Sequence, residues 1–263
     1  MMVGVAKCGT TELLDFMSIH PNIVSKRKPD QLPSSEFVNA SGHSRIKEEM
    51  PCKYYDQISV LKSDSFLGEK RKPLQIYKMK PNMKIMAIIR EPVARLISDL
   101  TFNMPSRQST RTHIDNSMVM KLFIQNLLNK TEQETTNFQV QQSKYDEGIR
   151  RYLEVFNQDQ ILIIESNEFV KNPVRVVKRI EHFLGIKSFV SDKYFVLHPE
   201  KPFYCIRKMD EEKTVACYGK NRGRKDVKVL VDDADRKALK NYYRPHSENL
   251  FRILGKRYDW LDS

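Results

Sequence analysis

The sequence lacks any hydrophobic run as long as a membrane span, any CxxC pair of cysteines, and any internal repeat or low-complexity segment. The first absence argues against a transmembrane helix, which needs roughly 20 consecutive apolar residues. The second argues against zinc, because zinc-binding cysteines usually occur in closely spaced pairs. Hydrophobic residues make up 40% of the 263, enough for a packed core. An apolar strand starts at the first residue with no signal sequence before it, so we expect the sequence to be a piece of a longer chain.

Acidic residues are too few to balance the basic ones. The sequence has 33 Asp and Glu against 45 Lys and Arg, which gives a formal net charge of +12. An excess of this size favours a polyanionic partner, which could be nucleic acid, an anionic membrane surface or an acidic polysaccharide. The basic residues are spread along the chain, and no nucleic-acid recognition motif accompanies them. The charge alone therefore does not support a nucleic-acid-binding protein.

The stretch VGVAKCGTTELL, residues 3–14, has the order strand, loop, helix. Such a loop brings backbone N–H groups and the positive end of a helix dipole to one point, where a phosphate can bind. Gly4 and Gly9 have the spacing of a nucleoside-triphosphate P-loop, but Lys7 precedes the second glycine instead of following it. The metal-holding hydroxyl of an NTPase is therefore displaced. The pattern predicts a phosphate cradle that does not require magnesium.

Two further apolar runs, KIMAII and QILIIE, predict buried parallel strands. Helical patterns follow both, one from Pro92 and one over 174–184 that ends at Gly185. Strands that alternate with helices predict an α/β fold with a parallel sheet, in which ligands bind beyond the carboxyl ends of the strands. Arg90 stands at such an end and Ser98 lies on the next helix, so the two could bind a second phosphate.

Five motifs in the same order resemble those of the sulfotransferases that act on heparan sulfate, most closely the glucosaminyl 3-O-sulfotransferases. They correspond to that family's phosphosulfate loop, 3′-phosphate motif, disulfide loop, K-G-R element and final motif. The matching segments are VAKCGT at 5–10, IREPVARLISD at 89–99, FYC at 203–205 with Cys217, RGR at 222–224 and GKRYDW at 255–260. The resemblance implies a single sulfotransferase domain over residues 1–263. Its fold would be P-loop-like with three layers, in which helices flank a central parallel sheet.

The resemblance also implies roles for individual residues. The donor would be 3′-phosphoadenosine 5′-phosphosulfate (PAPS), with Lys7 at its reacting end together with Lys62, which matches a lysine of the family's reacting centre. A disulfide would join Cys205 and Cys217. The residues that the resemblance assigns to PAPS binding are Lys7, Cys8, Gly9, Thr10, Thr11, Arg90, Ser98, Tyr204, Arg222, Gly223 and Arg224. No metal is required, because basic side chains neutralise the charge on the leaving nucleotide.

The segment that carries the family's catalytic base departs from the family pattern. The family reads E-V-H-F-F-D, whereas residues 30–35 of this chain read DQLPSS. Asp30 is the best candidate for the base that accepts the proton of the acceptor hydroxyl, and Glu36 is its rival. Ala6 also replaces the arginine of the family's phosphosulfate loop. These differences leave open a chain with low or no activity.

The activity that the resemblance implies is transfer of a sulfuryl group from PAPS to the 3-hydroxyl of glucosamine in heparan sulfate. Two alternatives stay open. One is an N-sulfotransferase of heparan sulfate, which YYRPH at 242–246 also resembles. The other is a catalytically impaired protein that binds heparan sulfate or the nucleotide. By resemblance we expect a monomeric glycoprotein of the Golgi lumen, with heparan sulfate or a related acidic polysaccharide as partner and no nucleic acid. The sequons at Asn39 and Asn129 agree with that compartment.

Overall fold

A computed structural model describes residues 1–25, 54–104, 115–131, 134–207, 209, 215–217 and 229–261. The chain forms two compact units, Met1–Ile89 with Arg151–Lys220 and Arg90–Arg150 with Asn221–Ser263. The described helices are α1 (Thr10–Met17), α2 (Lys72–Met79), α3 (Pro92–Asn103), α4 (Asn116–Leu128), α5 (Phe138–Gln141), α6 (Tyr145–Leu153), α7 (Ser166–Lys171), α8 (Pro173–Leu184) and α9 (Asp233–Leu254). The described strands are β1 (Ile23–Ser25), β2 (Ile58–Val60), β3 (Ile85–Ile89), β4 (Ile161–Glu165), β5 (Phe195–Leu197), β6 (Tyr204–Arg207) and β7 (Val215–Ala216). Within the described residues, none of the helices has both the length and the apolar character needed to cross a membrane.

The first unit contains parallel strands arranged around the first five residues. β1 pairs with β2, and β3 pairs with β4, in parallel in both cases. The extended segment 1–5 lies between the two pairs, because Met2 forms parallel bridges with Lys62 on one side and Met86 on the other. Val3 N also donates to Met86 O at 2.9 Å. The predicted parallel α/β architecture is therefore confirmed. Loops that follow parallel strands emerge at one edge of a sheet, which is where ligands bind in such folds.

Burial explains why the sequence forms these elements. All five residues of β3 are buried, as expected for the unbroken apolar run that predicted this strand. α1 places Leu13 and Met17 in the core with no exposed surface. The Phe16 ring lies 5.2 Å from the rings of both Phe169 and Phe195, measured between centroids. These contacts hold α1 against α7 and β5, and so fix where its first turn lies.

A second, antiparallel sheet in the same unit has the order β5, β6, β7. Leu197 pairs with Tyr204, and Ile206 pairs with Ala216. The disulfide that the resemblance implies is present and joins Cys205 of β6 to Cys217, directly after β7. It ties together the two strands of this hairpin.

The second unit has its own apolar core, made of buried side chains from α3, α4, α5 and α9. The local pattern predicts two helices over 234–243 and 247–254, separated by Pro245. The structure instead has one continuous helix, α9, with the proline inside it. A proline in a helix costs roughly 3 kcal/mol, since it removes one backbone hydrogen bond and its ring clashes with the preceding turn. Tyr243, before the proline, is buried in this core, and Leu250, after it, is also buried, so side chains of both halves are held by packing.

Candidate functional site

The loop between the segment 1–5 and α1 has the backbone geometry of an anion site. Gly9 precedes α1 with φ 93°, and Lys7 has φ 69°, a left-handed conformation that costs a non-glycine residue roughly 1–2 kcal/mol. Backbone strain of this kind clusters at functional sites. The N–H groups of a helix's first turn have no partner inside the helix, and the helix dipole favours an anion there. Cys8 is fully buried and its N–H donates to Val5 O at 3.2 Å, so it shapes the turn.

Lys62 reaches this loop from the neighbouring strand. It lies two residues after β2, its side chain is 8% exposed, and its Nζ donates to Thr11 Oγ1 at 3.2 Å. A buried ammonium needs such contacts, because desolvation of an unpaired charge is costly. Its second contact is with Asp64, whose Oδ2 lies 3.0 Å from the Nζ. Lys62 and Thr11, which come from separate sequence motifs, are thus in direct contact.

Asp64 lies at the centre of this cluster, although the sequence patterns assign it no role. Its Oδ1 accepts the hydroxyl of Thr10 at 2.8 Å, while its Oδ2 contacts Lys62. Its backbone O accepts the N–H of Ala6 at 3.2 Å, and a Cβ added to Gly4 would lie 3.4 Å from the same oxygen. The only sequence signal for Asp64 is its place two residues after the predicted lysine. That signal becomes informative once β2 is known to neighbour the segment 1–5.

A further layer of polar contacts holds the segment that follows Lys62. Ser65 Oγ donates to Glu69 Oε1 at 2.7 Å, and Lys72 Nζ lies 3.7 Å from Glu69 Oε2. Lys72 is itself buried, with its Nζ 4.7 Å from the centre of the Phe66 ring. Burial lowers the pKa of Lys72, and the nearby Glu69 carboxylate partly offsets this effect. These contacts connect α2 to the segment that carries Lys62 and Asp64, and they restrict the movement of that segment.

The second unit begins with the other predicted phosphate motif. The carboxylate of Glu91 caps α3, accepting the N–H groups of Val93 and Ala94 at 3.0 and 2.6 Å. Arg90 directly precedes this cap, and Ser98 lies in the second turn of the same helix. Both side chains are half-buried, so each has solvent-facing surface. Phosphate binding by this pair stays a prediction.

Two charged residues of the same motif have a structural role. Arg95 has no exposed surface, and its Nε donates to Ser143 Oγ at 2.6 Å. Its Nη1 donates to Asp99 Oδ2 at 3.2 Å, and its Nη2 donates to the backbone O of Gln139. These partners satisfy hydrogen-bond donors of the guanidinium within the core. Arg95 is therefore not available to a ligand.

The other predicted site residues fall partly outside the described part of the chain. Tyr204 begins β6, is half-buried and precedes the disulfide-bonded Cys205. Asp30 and the RGR segment, Arg222, Gly223 and Arg224, lie outside the described residues, so their roles stay predictions. Among the residues that the structure describes, no three His, Cys, Asp or Glu side chains are grouped so that they could hold a metal ion.

Known proteins resemble the chain in both sequence and structure. The family profile described as "Sulfotransferase domain" matches residues 1–249. "Heparan sulfate glucosamine 3-O-sulfotransferase 3B1" of Mus musculus is 26% identical over 263 residues, which is 99% of this chain and 64% of the relative. "Heparan sulfate glucosamine 3-O-sulfotransferase 6" of Homo sapiens is 27% identical over 263 residues, 99% of this chain and 72% of the relative. The chain thus spans less than two thirds of the length of the mouse relative.

A solved structure extends the similarity to the fold. The crystal structure of a sulfotransferase from Alicyclobacillus acidocaldarius superposes with a TM-score of 0.66 at 17% identity. The match covers 100% of this chain and 97% of the other. It confirms the predicted fold class.

Proposed function

We propose, from the premise that this chain belongs to the sulfotransferase domain family, that it transfers a sulfuryl group from PAPS to heparan sulfate. The observation that carries the proposal is the cluster at the start of α1. There a buried lysine and two threonine hydroxyls meet a strained loop and a helix N-terminus. This combination of donors suits an anion that must be held while charge develops on it.

The donor set fits the phosphosulfate end of PAPS. Lys7 and Lys62 would supply positive charge, and Thr10 and Thr11 would supply hydroxyl donors. The N–H groups of the first turn of α1 would add backbone donors. In the second unit, Arg90 and Ser98 would bind the 3′-phosphate, because a half-buried arginine directly before a capped helix can present its planar guanidinium to phosphate oxygens.

An in-line displacement at sulfur needs a cation at the leaving oxygen and a base at the acceptor hydroxyl. PAPS supplies the sulfuryl group. As in phosphoryl transfer, charge develops on the bridging oxygen that leaves, and preorganised cations stabilise it most effectively where water is excluded. Lys62 is suited to this task because its side chain is only 8% exposed. The acceptor hydroxyl must also lose a proton to a base, for which the sequence predicts Asp30.

The acceptor we propose is the 3-hydroxyl of glucosamine in heparan sulfate. The names of the mouse and human relatives state this acceptor for those proteins, which match 99% of this chain. The net charge of +12 suits an acidic polysaccharide in place of a neutral one. We also propose that the chain acts as one sulfotransferase domain, since the family profile runs through both compact units. A Golgi-lumen location follows from the same proposed acceptor.

The experiment that tests the proposal is incubation with radiolabelled PAPS and a panel of heparan sulfate precursors, followed by disaccharide analysis. We expect label in 3-O-sulfated disaccharides, and loss of that label in Lys7→Ala. Lys78→Ala, which changes an exposed lysine of α2, is the matched control and should keep wild-type incorporation. Label on the amino group would indicate N-sulfation. No label on any acceptor, despite binding of adenosine 3′,5′-bisphosphate (PAP), would indicate a nucleotide-binding protein without transferase activity.

A further inference from the structure

We propose that the Asp64 carboxylate is the general base that accepts the proton of the acceptor hydroxyl. This inference rests on the proposed function, because it names a catalytic residue of the same reaction. It differs from the prediction for Asp30, which comes from a segment outside the described residues. Asp64 belongs to the segment after β2 and directly contacts residues predicted to bind the phosphosulfate.

The position of Asp64 places an accessible carboxylate beside the reacting centre. In an in-line displacement, the acceptor and leaving oxygens lie on opposite sides of one sulfur atom. The base at the acceptor oxygen and the lysine at the leaving oxygen therefore belong to one site, on either side of the transferring sulfuryl group. Asp64 Oδ2 lies 3.0 Å from Lys62 Nζ, and the Asp64 side chain is 44% exposed, against 8% for Lys62. An acceptor can thus reach the carboxylate from solvent while the lysine stays buried.

Backbone hydrogen bonds fix the main chain at Asp64 beside the loop that precedes α1. The Asp64 backbone O accepts the Ala6 N–H at 3.2 Å, and Ser63 N donates to Met2 O at 2.9 Å. Ser65, the next residue, is hydrogen-bonded to Glu69. Bonds on both sides of Asp64 restrict its main chain. Only its side-chain torsions need to change for the carboxylate to turn from the loop toward an acceptor.

The partners of Asp64 suggest how donor binding could activate the base. Its two oxygens accept hydrogen bonds from Thr10 and Lys62, which are donors that the phosphosulfate also needs. Donor binding would draw Lys62 and Thr10 to the incoming anion and would let the carboxylate turn toward the acceptor. Proton acceptance would then depend on a bound donor.

The proposed step balances in atoms and charge. The acceptor O–H bond breaks and its proton goes to the Asp64 carboxylate. The acceptor oxygen forms a bond to the sulfur of PAPS. The bond from sulfur to the bridging phosphate oxygen breaks, and its electron pair leaves with PAP beside Lys62. Asp64 then returns the proton to water, so that one PAPS and one hydroxyl give one sulfate ester, one PAP and one proton.

The test compares Asp64→Asn with Asp159→Asn, in which the same chemical change is made at an exposed residue before β4, at the opposite edge of the strands. PAP affinity is measured by calorimetry, and turnover is measured with radiolabelled PAPS and heparan precursors. We expect Asp64→Asn to lose roughly 100- to 10,000-fold in kcat, the usual contribution of a general base. Its PAP affinity should be equal to or tighter than wild type, because a competing carboxylate has been removed. Asp159→Asn should match wild type in both measurements.

Two readouts separate proton transfer from a structural role. Small carboxylates such as formate should partly restore turnover in Asp64→Ala, and Asp64→Glu should retain more activity than Asp64→Asn. The fall in wild-type kcat at acid pH, where the base becomes protonated, should be absent from the residual activity of Asp64→Asn. Structural damage would show neither the rescue nor the altered pH profile.

Several outcomes would overturn the assignment. Wild-type kcat in Asp64→Asn, with tighter PAP binding, would leave Asp64 as a competitor of the donor only. A loss of kcat in Asp30→Asn, with Asp64→Asn active, would make Asp30 the base. A wild-type chain that binds no PAP and transfers no sulfate would refute the proposed function, and the base assignment would fail with it.

Discussion

The substitution Arg95→Met is expected to destabilise the second unit strongly, although Arg95 lies in a motif that binds a ligand by resemblance. The guanidinium has no exposed surface. It donates to Ser143 Oγ at 2.6 Å, to Asp99 Oδ2 at 3.2 Å and to the backbone O of Gln139. Methionine has a similar length and can fill the space, but it makes none of these bonds.

The magnitude follows from the partners that the substitution leaves behind. The Asp99 side chain is 11% exposed, so its carboxylate would be largely buried without its ion-pair partner. Breaking a buried pair by removing one member costs roughly 3–5 kcal/mol. The free energy of unfolding of a domain is typically about 5–15 kcal/mol, so this loss would be a large share of the total. For a chain of this size, the corresponding fall in Tm is about 2–4 °C per kcal/mol.

Urea unfolding followed by circular dichroism measures this loss. Arg244→Met, at an exposed position of α9, is the matched control and should unfold within about 0.5 kcal/mol of wild type. The double variant Arg95→Met with Asp99→Leu should recover much of the loss, since it removes the stranded carboxylate as well. An Arg95→Met variant as stable as the Arg244→Met control would refute the structural role assigned to Arg95.

Three other expectations concern separate parts of the molecule. Lys7→Ala and Arg90→Ala should each weaken PAP binding roughly 10- to 150-fold in calorimetry, since a hydrogen bond to a charged group contributes about 1.5–3 kcal/mol, and unchanged affinity in both would refute the nucleotide site. Cys205→Ser should lower the free energy of unfolding by about 3 kcal/mol through loss of the disulfide to Cys217. A reductant should then destabilise the wild type and leave the variant unchanged. Burial raises the pKa of Asp146, but hydrogen bonds from His246 and Asn249 outweigh this effect and hold the pKa below its ordinary value of 3.8. Its stabilisation should therefore be present above that pH and disappear as the pH falls below it, and Asp146→Asn should show a smaller acid-induced loss in urea midpoints between pH 3 and 7.

Elements whose signals are local could be predicted from the sequence. The apolar run of β3 fixes a buried strand because every position in it faces the core. Gly185, with φ 72°, ends α8 as predicted, since only a residue tolerant of the left-handed region suits that cap. The pattern failed at Pro245, where packing of distant side chains offsets a local penalty. A local pattern thus predicts an element correctly where contacts close in sequence dominate its stability, and fails where contacts distant in sequence do.

The motif around Arg95 illustrates a second limit. Arg90, Arg95, Ser98 and Asp99 are all polar residues of one motif, and spacing alone does not separate a ligand contact from a core ion pair. Which of these residues can contact a ligand depends on which face of α3 packs inward. Leu96 and Leu100 define that face, and Arg95 and Asp99 adjoin it, whereas Ser98 does not. Helical periodicity could have placed Arg95 near the core. It could not have supplied Ser143, which is 48 residues away and completes its hydrogen bonds.

The contact between Asp64 and Thr10 could not be predicted because it depends on strand order. The two residues are 54 positions apart and meet only because Met2 bridges to Lys62, which brings the loops after these two strands together. This has a consequence for activity. The altered segment at 30–35 alone would suggest that the catalytic base has been lost. The proposed role of Asp64, which contacts Lys62 from the same segment after β2, offers another base, because proton transfer requires a base at the acceptor oxygen and not a base from a particular segment.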